Sequence, residues 1–349
     1  MKPEWKAFLA NNGAEFDDDH VAHFGAPDLE LRAAIGGHVI CDLSHFGLIA
    51  AYGRDAEGLL QGQLTNDVRK VSLGRSQLSA CCNPKGRMIA NFRLFRRGET
   101  LYLRLPRSLL ETVLERLQMF VLQSEVTLED ASDALVRVGL GGAQADGELA
   151  DALGPVPGEV DEVVEAQGVT AVRVPGADRL RYELYGELAA MEKLWEGLNV
   201  NCAPVGADAW SLCDILAGIP TVYPATSEAF VPQMANMQLI NGVAFDKGCY
   251  TGQEVIARMQ YLGQLKRRLY LGRAEQGSAV PGDPVYPCGA DQAAGTVVDA
   301  RPDPDGGIAL LQVAQIERAA HGPLCLGGPD GAPVTLLDLP YPVEPPGAG

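Results

Sequence analysis

The sequence predicts an α+β protein that ends in a small antiparallel β-barrel. Three observations predict it. Strand-like alternation at residues 78–82, 88–95 and 101–105 leads into an amphipathic helical run opened by Ser108-Leu-Leu-Glu111. A second mixed stretch follows, with strands at 170–174 and 181–185 and helices at 187–198 and 207–216. Beyond residue 262 only short strands alternate with Gly-Asp and Pro-Asp turns, the pattern of a small barrel.

Taken in order, residues 1–25 read as a loose N-terminal arm with a short helical start around Trp5–Leu9. Val39–Ile49 reads as one strand, and Ala56–Leu64 as a short helix introduced by Asp55. The strands up to Leu105 turn at Asn83-Pro84 and Arg97-Gly98, and the capping-box helix runs to about Phe120. Together they form an α+β insertion at about residues 50–130. Gly141–Gly158 is rich in Gly, Ala and Pro and reads as loop, or as a poorly packed helix around Asp146–Leu153. Ala207–Leu216 stops at Gly218 with Pro220 behind it. Barrel strands are expected at 267–272, 285–286, 295–299 and 308–313, and a Pro/Gly tail at 340–349. No internal repeat is present. The expected division is an arm at 1–25, a main region at 26–262, a barrel at 263–339 and the tail.

At 349 residues the chain is long enough for two or three domains. No apolar run reaches membrane-spanning length, and Met1-Lys-Pro-Glu-Trp-Lys6 has no signal-peptide core behind it, so a cytoplasmic location is expected. The eight cysteines are scattered without a CxxC pair and read as reduced thiols. Asp17-Asp-Asp-His20 with His23 has metal-binding residue types, but a solvated acidic turn explains it as well, and no metal is expected. The net charge of −17 argues against general nucleic-acid or anionic-membrane binding. Two stretches nevertheless lack acids. Residues 68–97 carry eight basic residues and 255–274 five, leaving 15 basic against 45 acidic residues elsewhere. They fit solvated strand faces or a local anion site. Neither carries the interleaved aromatics of a nucleic-acid platform.

Lys247-Gly-Cys-Tyr-Thr-Gly-Gln-Glu254 carries the sharpest chemistry. Thr251-Gly-Gln-Glu254 fits a capping box, with Val255, Ile256 and Met259 as the buried face of the helix it opens. Cys249 then stands near the positive end of that helix, beside the charge of Lys247, and both favour thiolate. Gly248 and Gly252 leave room for a ligand or a sharp turn. A buried cysteine in an ordinary strand-to-helix turn fits the same spacing.

This octapeptide resembles the signature of the YgfZ family of folate-binding proteins, relatives of the glycine cleavage T-protein. Cys41-Asp-Leu-Ser-His-Phe46, Leu59-Leu-Gln-Gly-Gln-Leu-Thr-Asn-Asp67 and Asn83-Pro-Lys-Gly-Arg87 match further blocks of that superfamily, as do Trp210-Ser-Leu-Cys-Asp-Ile-Leu-Ala-Gly-Ile-Pro220 and Phe230-Val-Pro-Gln233. The resemblance implies a T-protein-like folate-binding fold with an inserted ferredoxin-like subdomain. It implies tetrahydrofolate as cofactor, with Phe46 and Trp210 beside the pterin, although ordinary core packing suits Phe46 equally. Tyr250, Gln253, Arg93 and Arg258 complete the expected folate set, and Cys249 and Lys247 the catalytic one. Ala90 and Asn91 stand where T-proteins carry acids, one of them catalytic, and Trp210 where they carry arginine. The Gly-rich Tyr-Thr-Gly-Glu segment of the superfamily is replaced near Arg179-Leu-Arg-Tyr-Glu183. Aminomethyl transfer is therefore disfavoured. The implied role is a folate-dependent accessory factor for iron–sulfur enzymes, including radical enzymes that modify tRNA, with those enzymes or assembly proteins as partners. A one-carbon transferase and a non-catalytic scaffold are the alternatives.

Overall fold

The stretch 39–49 alternates like one strand, but Asp42 splits it, and much of the first half of the chain follows from that break. The Asp42 carboxylate accepts from the Ser44 backbone N–H at 3.0 Å and from the Ser44 hydroxyl at 2.9 Å, which turns the chain at 43–45. The result is two strands that enter different sheets.

The computed structural model describes residues 1–343. In chain order the first elements are α1 (Pro3–Asn11), β1 (Glu15–Asp17), β2 (His20–His23), α2 (Pro27–Gly36), β3 (Val39–Asp42), β4 (Phe46–Tyr52) and α3 (Ala56–Gln61). Next come β5 (Gln77–Cys82), β6 (Met88–Arg97), β7 (Thr100–Pro106), α4 (Leu110–Gln118), β8 (Thr127–Asp130), β9 (Val136–Gly142) and α5 (Ala145–Leu153). Then follow β10 (Val163–Ala166), β11 (Val169–Val174), β12 (Leu180–Gly186), α6 (Leu188–Leu198), β13 (Ala203–Val205), α7 (Ala207–Leu216) and α8 (Gln253–Tyr261). The last are β14 (Arg267–Ala274), β15 (Pro284–Pro287), β16 (Gly295–Pro302), β17 (Ile308–Gln315), α9 (Ile316–His321), β18 (Leu324–Leu326) and β19 (Ala332–Leu337). Of the expected tail, residues 344–349 lie outside the described residues.

Contacts divide the chain into two units. The first holds Met1–Leu60, Val68–Gln77 and Phe92–Cys213; the second holds Gln61–Asp67, Leu78–Asn91 and the chain from Asp214 onward.

In the first unit, β3 lies in a six-stranded sheet of order β10-β11-β12-β9-β3-β13, antiparallel except for the parallel pair β3–β13. β4 pairs with β7 and β8 in the second sheet, of order β5-β6-β7-β4-β8. Residues 1–25, expected as a loose arm, form α1 and the β1–β2 hairpin. Trp5 and Leu9 are buried against Trp195, with Trp5 edge-on at 5.7 Å. The Trp5 indole N–H donates to Asp42 Oδ1 at 2.8 Å, so the carboxylate that turns the chain also anchors α1. Burial of an indole of this kind stabilises by about 3–5 kcal/mol relative to alanine, which is why this segment is ordered. The box Ser108-Leu-Leu-Glu111 does not cap: α4 starts at Leu110 after a short 3₁₀ turn and has no side-chain cap.

In the second unit the C-terminal strands close as a six-stranded barrel, β14-β17-β16-β15-β18-β19, sealed by the antiparallel pair β14–β19. Val285, Val297, Ile308, Leu310, Leu324 and Val334 fill it. Cys288 and Cys325 form a disulfide with Cα atoms 5.1 Å apart, so the expectation of eight reduced thiols is corrected. β15 and β18 pair antiparallel, Tyr286 opposite Cys325, and this brings the two sulfurs together from 37 residues apart.

A bulge in β16 at residues 297–299 turns Asp299 inward. Asp299 Oδ1 accepts from Arg301 at 2.5 Å and Oδ2 from the Tyr223 hydroxyl at 3.0 Å. Burial pushes its carboxyl up to about 6, against the pull of Arg301 and Tyr223. The folded chain thus holds this proton more tightly than the unfolded one. The stabilisation is complete at low pH and is lost as pH rises through about 6. Relative to Asp299→Asn, the wild type should therefore gain about 3 kcal/mol as pH falls from neutral to below the ordinary value of 3.8. Urea midpoints across that range would show it, and parallel profiles for the two proteins would refute it.

Candidate functional site

Three sequence blocks far apart in the chain meet at the start of α8, all within the second unit. Gly252, not Thr251, is the N-cap, with φ of 85° and no side-chain cap. The expected capping box is corrected, because the Thr251 hydroxyl is used elsewhere, on Gln63 Oε1 at 3.3 Å. A Cβ on Gly252 would stand 2.6 Å from the Asn83 carbonyl oxygen and 3.0 Å from Gly86 Cα. The 83–87 turn, tied by the Asn83 side chain to the N–H groups of Lys85 and Arg87, thus packs directly on the helix start. Of the expected apolar face Ile256 is buried, Met259 half-buried and Val255 exposed.

The block 59–67 clamps the other side of the loop. Lys247 is buried, and its ammonium donates to the carbonyls of Gln61, Leu64 and Asn66 at 2.9, 2.6 and 2.8 Å. The Thr251 N–H donates to the Gly62 carbonyl at 3.2 Å. Thr65 and Asn66 hold the turn from behind: the Thr65 hydroxyl reaches the Gly242 carbonyl, and the Asn66 amide reaches the carbonyls of Leu78 and Asn241. Sequence reasoning singled out neither residue, although both belong to the matched block. Tyr250 lies under Lys247, its ring centroid 4.9 Å from Nζ. Burial, with Cys82 adding to it, pushes the Tyr250 phenol well up, so it stays protonated.

On this frame Cys249 is exposed, the one exposed free cysteine among the described residues. The others differ in kind. Burial raises the Cys41 thiol far above its ordinary value and Cys202 to about 11, which disfavours thiolate. Gln253 is the first residue of α8 and half-buried, and Arg258 is exposed on the same helix. Asn91 has a task that a carboxylate could not perform. Its amide nitrogen donates to the Pro220 carbonyl at 2.8 Å, and its amide oxygen accepts from the Val222 N–H at 2.9 Å.

The first unit holds the remaining expected residues in a buried charge network centred on Glu183. Arg104 donates to Glu183 at 2.8 Å and lies over the Phe46 ring at 4.0 Å. Arg181 lies over the Trp210 ring at 4.2 Å, and the Tyr185 hydroxyl donates to the other Glu183 oxygen. Burial alone would raise the Glu183 carboxyl, but Arg104, Arg93, the Tyr185 hydrogen bond and Arg181 outweigh it and hold it below its ordinary value. Phe46 and Trp210 are both buried, and Gly139 leaves the space that Trp210 fills, since a Cβ there would stand 2.5 Å from the indole. The Trp210 indole N–H has no hydrogen-bond partner among the described residues. Arg93 is buried and held by Asp161 at 2.5 Å and Ser76 at 3.2 Å. Arg96 pairs with Glu57 at 2.9 Å. Part of the acid-free stretch 68–97 is therefore neutralised by acids from other segments. Among the described residues no group of three or more His, Cys, Asp or Glu side chains could hold a metal, and no helix is long and apolar enough to cross a membrane.

Three substitutions probe these frames. Gly252→Ala should cost about 2 kcal/mol or more, whereas Gly248→Ala, with nothing near its Cβ, should stay within about 0.5 kcal/mol; equal melting temperatures for the two would contradict the close approach at Gly252. Glu183→Gln should cost about 3–5 kcal/mol in urea unfolding, because it removes the buried anion among several arginines. A loss under about 1 kcal/mol would mean the network is solvated.

A model of the GCVT N-terminal domain matches residues 14–247. Proteins called tRNA-modifying protein YgfZ from Yersinia enterocolitica and Yersinia pestis are 32% and 33% identical over 305 residues, covering 86% of this chain and 92% of each relative. The glycine cleavage system aminomethyltransferase T of Bartonella henselae shares the fold, with a TM-score of 0.80 over 97% of both chains at 18% identity. With the family model spanning most of the first 247 residues and these relatives 32–33% identical over 86% of the chain, the chain belongs to the GCVT family and, within it, to the YgfZ proteins.

Proposed function

We propose that this protein is a tetrahydrofolate-binding accessory factor that supports iron–sulfur enzymes, including enzymes that modify tRNA, through the thiol of Cys249. The observation that carries the reading is the contrast at Cys249: among the described residues a single exposed free thiol, on a loop held by two separate sequence blocks. A thiol kept only for packing would be buried, as Cys41, Cys81, Cys82 and Cys202 are. The relatives' name, tRNA-modifying protein, supports the tRNA branch of the reading. A cytoplasmic location suits such a role.

The residues of the first unit fit a reduced pterin in chemical type. The unpartnered indole N–H of Trp210 is a buried donor in want of an acceptor. The Phe46 and Trp210 rings each take a guanidinium on one face, and such rings can also stack on a flat π group, which supports the reading. Phe46 and Trp210 would hold the ring, and Arg93, paired with Asp161, would support the charge network around Glu183. Tetrahydrofolate, when bound, supplies a carrier for a one-carbon unit or a source of reducing electrons. In the second unit Lys247 and Tyr250 keep the Cys249 loop in place, while Gln253 and Arg258 offer polar and positive groups on α8. Aminomethyl transfer is not part of the proposal. Ala90 has no proton to exchange, and both ends of the Asn91 amide hold the 220–222 segment.

Isothermal titration of the full chain with tetrahydrofolate tests the reading. Saturable binding is expected for the wild type, about tenfold weaker in Trp210→Leu, a change of about 1.4 kcal/mol, and unchanged in Cys249→Ala. The Cys249→Ala protein should still fail to restore tRNA thiolation in cells lacking the wild type. Absence of binding by a folded wild-type protein would sink the folate reading, and full restoration by Cys249→Ala would sink the thiol reading.

A further inference from the structure

We propose that the Lys247 ammonium acts as a tethered monovalent cation: it fills a cage of three backbone carbonyls and so sets the shape of the 61–66 turn that carries the Cys249 loop. The proposal shares the Cys249 loop with the reading above but stands on the geometry of the turn. The carbonyls of Gln61, Leu64 and Asn66 converge on one nitrogen at 2.6–2.9 Å, although they come from different points of the turn. Carbonyl oxygens that face one another repel, and acceptors buried without donors are destabilising. A cation at their focus removes both problems. Proteins that coordinate potassium build sites from the same group, converging backbone carbonyls. Here the cation arrives on a side chain that is itself buried, 6% exposed.

The geometry also explains why the residue is lysine. An ammonium is a compact charge with three donors spread pyramidally, whereas a guanidinium presents its donors in one plane as a fork. Three carbonyls spaced along a turn suit the first. The Thr251 N–H on the Gly62 carbonyl then joins the caged turn to the residues after Cys249. Lys247 is thus a positioning residue, acting on Cys249 through the turn.

Hydrogen exchange of the 61–67 amides tests this without folate, tRNA or a client protein, so its outcome is separate from that of the folate and thiol readings. In Lys247→Ala, exchange should be at least about tenfold faster than in the wild type, corresponding to about 1.4 kcal/mol of lost local stability. Potassium, ammonium or methylammonium chloride should restore protection, and tetramethylammonium chloride at equal ionic strength should not, since it is too large for the cage. Lys247→Arg should remain loose in every salt. Lys247→Met keeps the aliphatic stem and blocks the cage, so it should fold, exchange fast and show no rescue; it decides the matter if the alanine variant does not fold. Protection of the turn in Lys247→Met, or identical exchange of Lys247→Ala in all salts, would overturn the proposal. So would a shift of the Cys249 alkylation pH profile in Lys247→Met while the turn stays protected, because Lys247 would then act on the thiol by charge alone.

Discussion

The approach of the Asn83 carbonyl to the backbone of Gly252 is the constraint on which the cysteine loop depends. No side chain fits between them, and the left-handed φ of Gly252 is the conformation that aims the chain into α8. Once that contact exists, the 83–87 turn and the helix start are one body, and the 59–67 block needs only to close the remaining side. It does so with main-chain acceptors. The loop is therefore held by backbone geometry, while the Cys249 side chain stays exposed.

Two buried carboxylates show how the same burial can act in opposite senses. Glu183 faces several arginines and is held ionised below its ordinary value; Asp299 faces Arg301 and a phenol, with Asp214 nearby, and is pushed up. The difference lies in the number of cations, not in the depth of burial. The first arrangement fixes aromatic rings under guanidinium groups. The second ties a barrel bulge to the segment that Asn91 also holds at Pro220 and Val222.

Much of this was legible in the sequence where the signal is local. α7 ends where Gly218 and Pro220 stop it, and β14 to β17 follow their alternation and turns. β18 and β19 escaped notice because Leu-Cys-Leu is too short for a period and Pro333 interrupts the other. The order of residues 1–25 depends on Trp5 meeting Asp42 and Trp195, contacts without a local signature. Thr251 looked like a cap because the residue that takes its hydroxyl, Gln63, lies 188 positions away. The motif blocks are legible as sequence, but not the contacts each makes. The Lys247 ammonium donates to carbonyls, and a carbonyl leaves no trace in the identity of its residue.

The closed barrel has a further consequence. A closed ring of strands has every internal ladder occupied, so nothing can be added to it by main-chain pairing. Among the described residues only the open sheets have edges, and most are short: β1 and β13 have three residues, β2, β8 and β10 four each, while the six-residue edge β5 is buried along its length and bridged by Leu64 at Cys81. β8 also carries the exposed acids Glu129 and Asp130, and β10 the exposed acid Glu165. A partner that tried to extend these sheets would find little backbone to pair with and negative charge beside it. Strand addition at these acidic edges is therefore disfavoured.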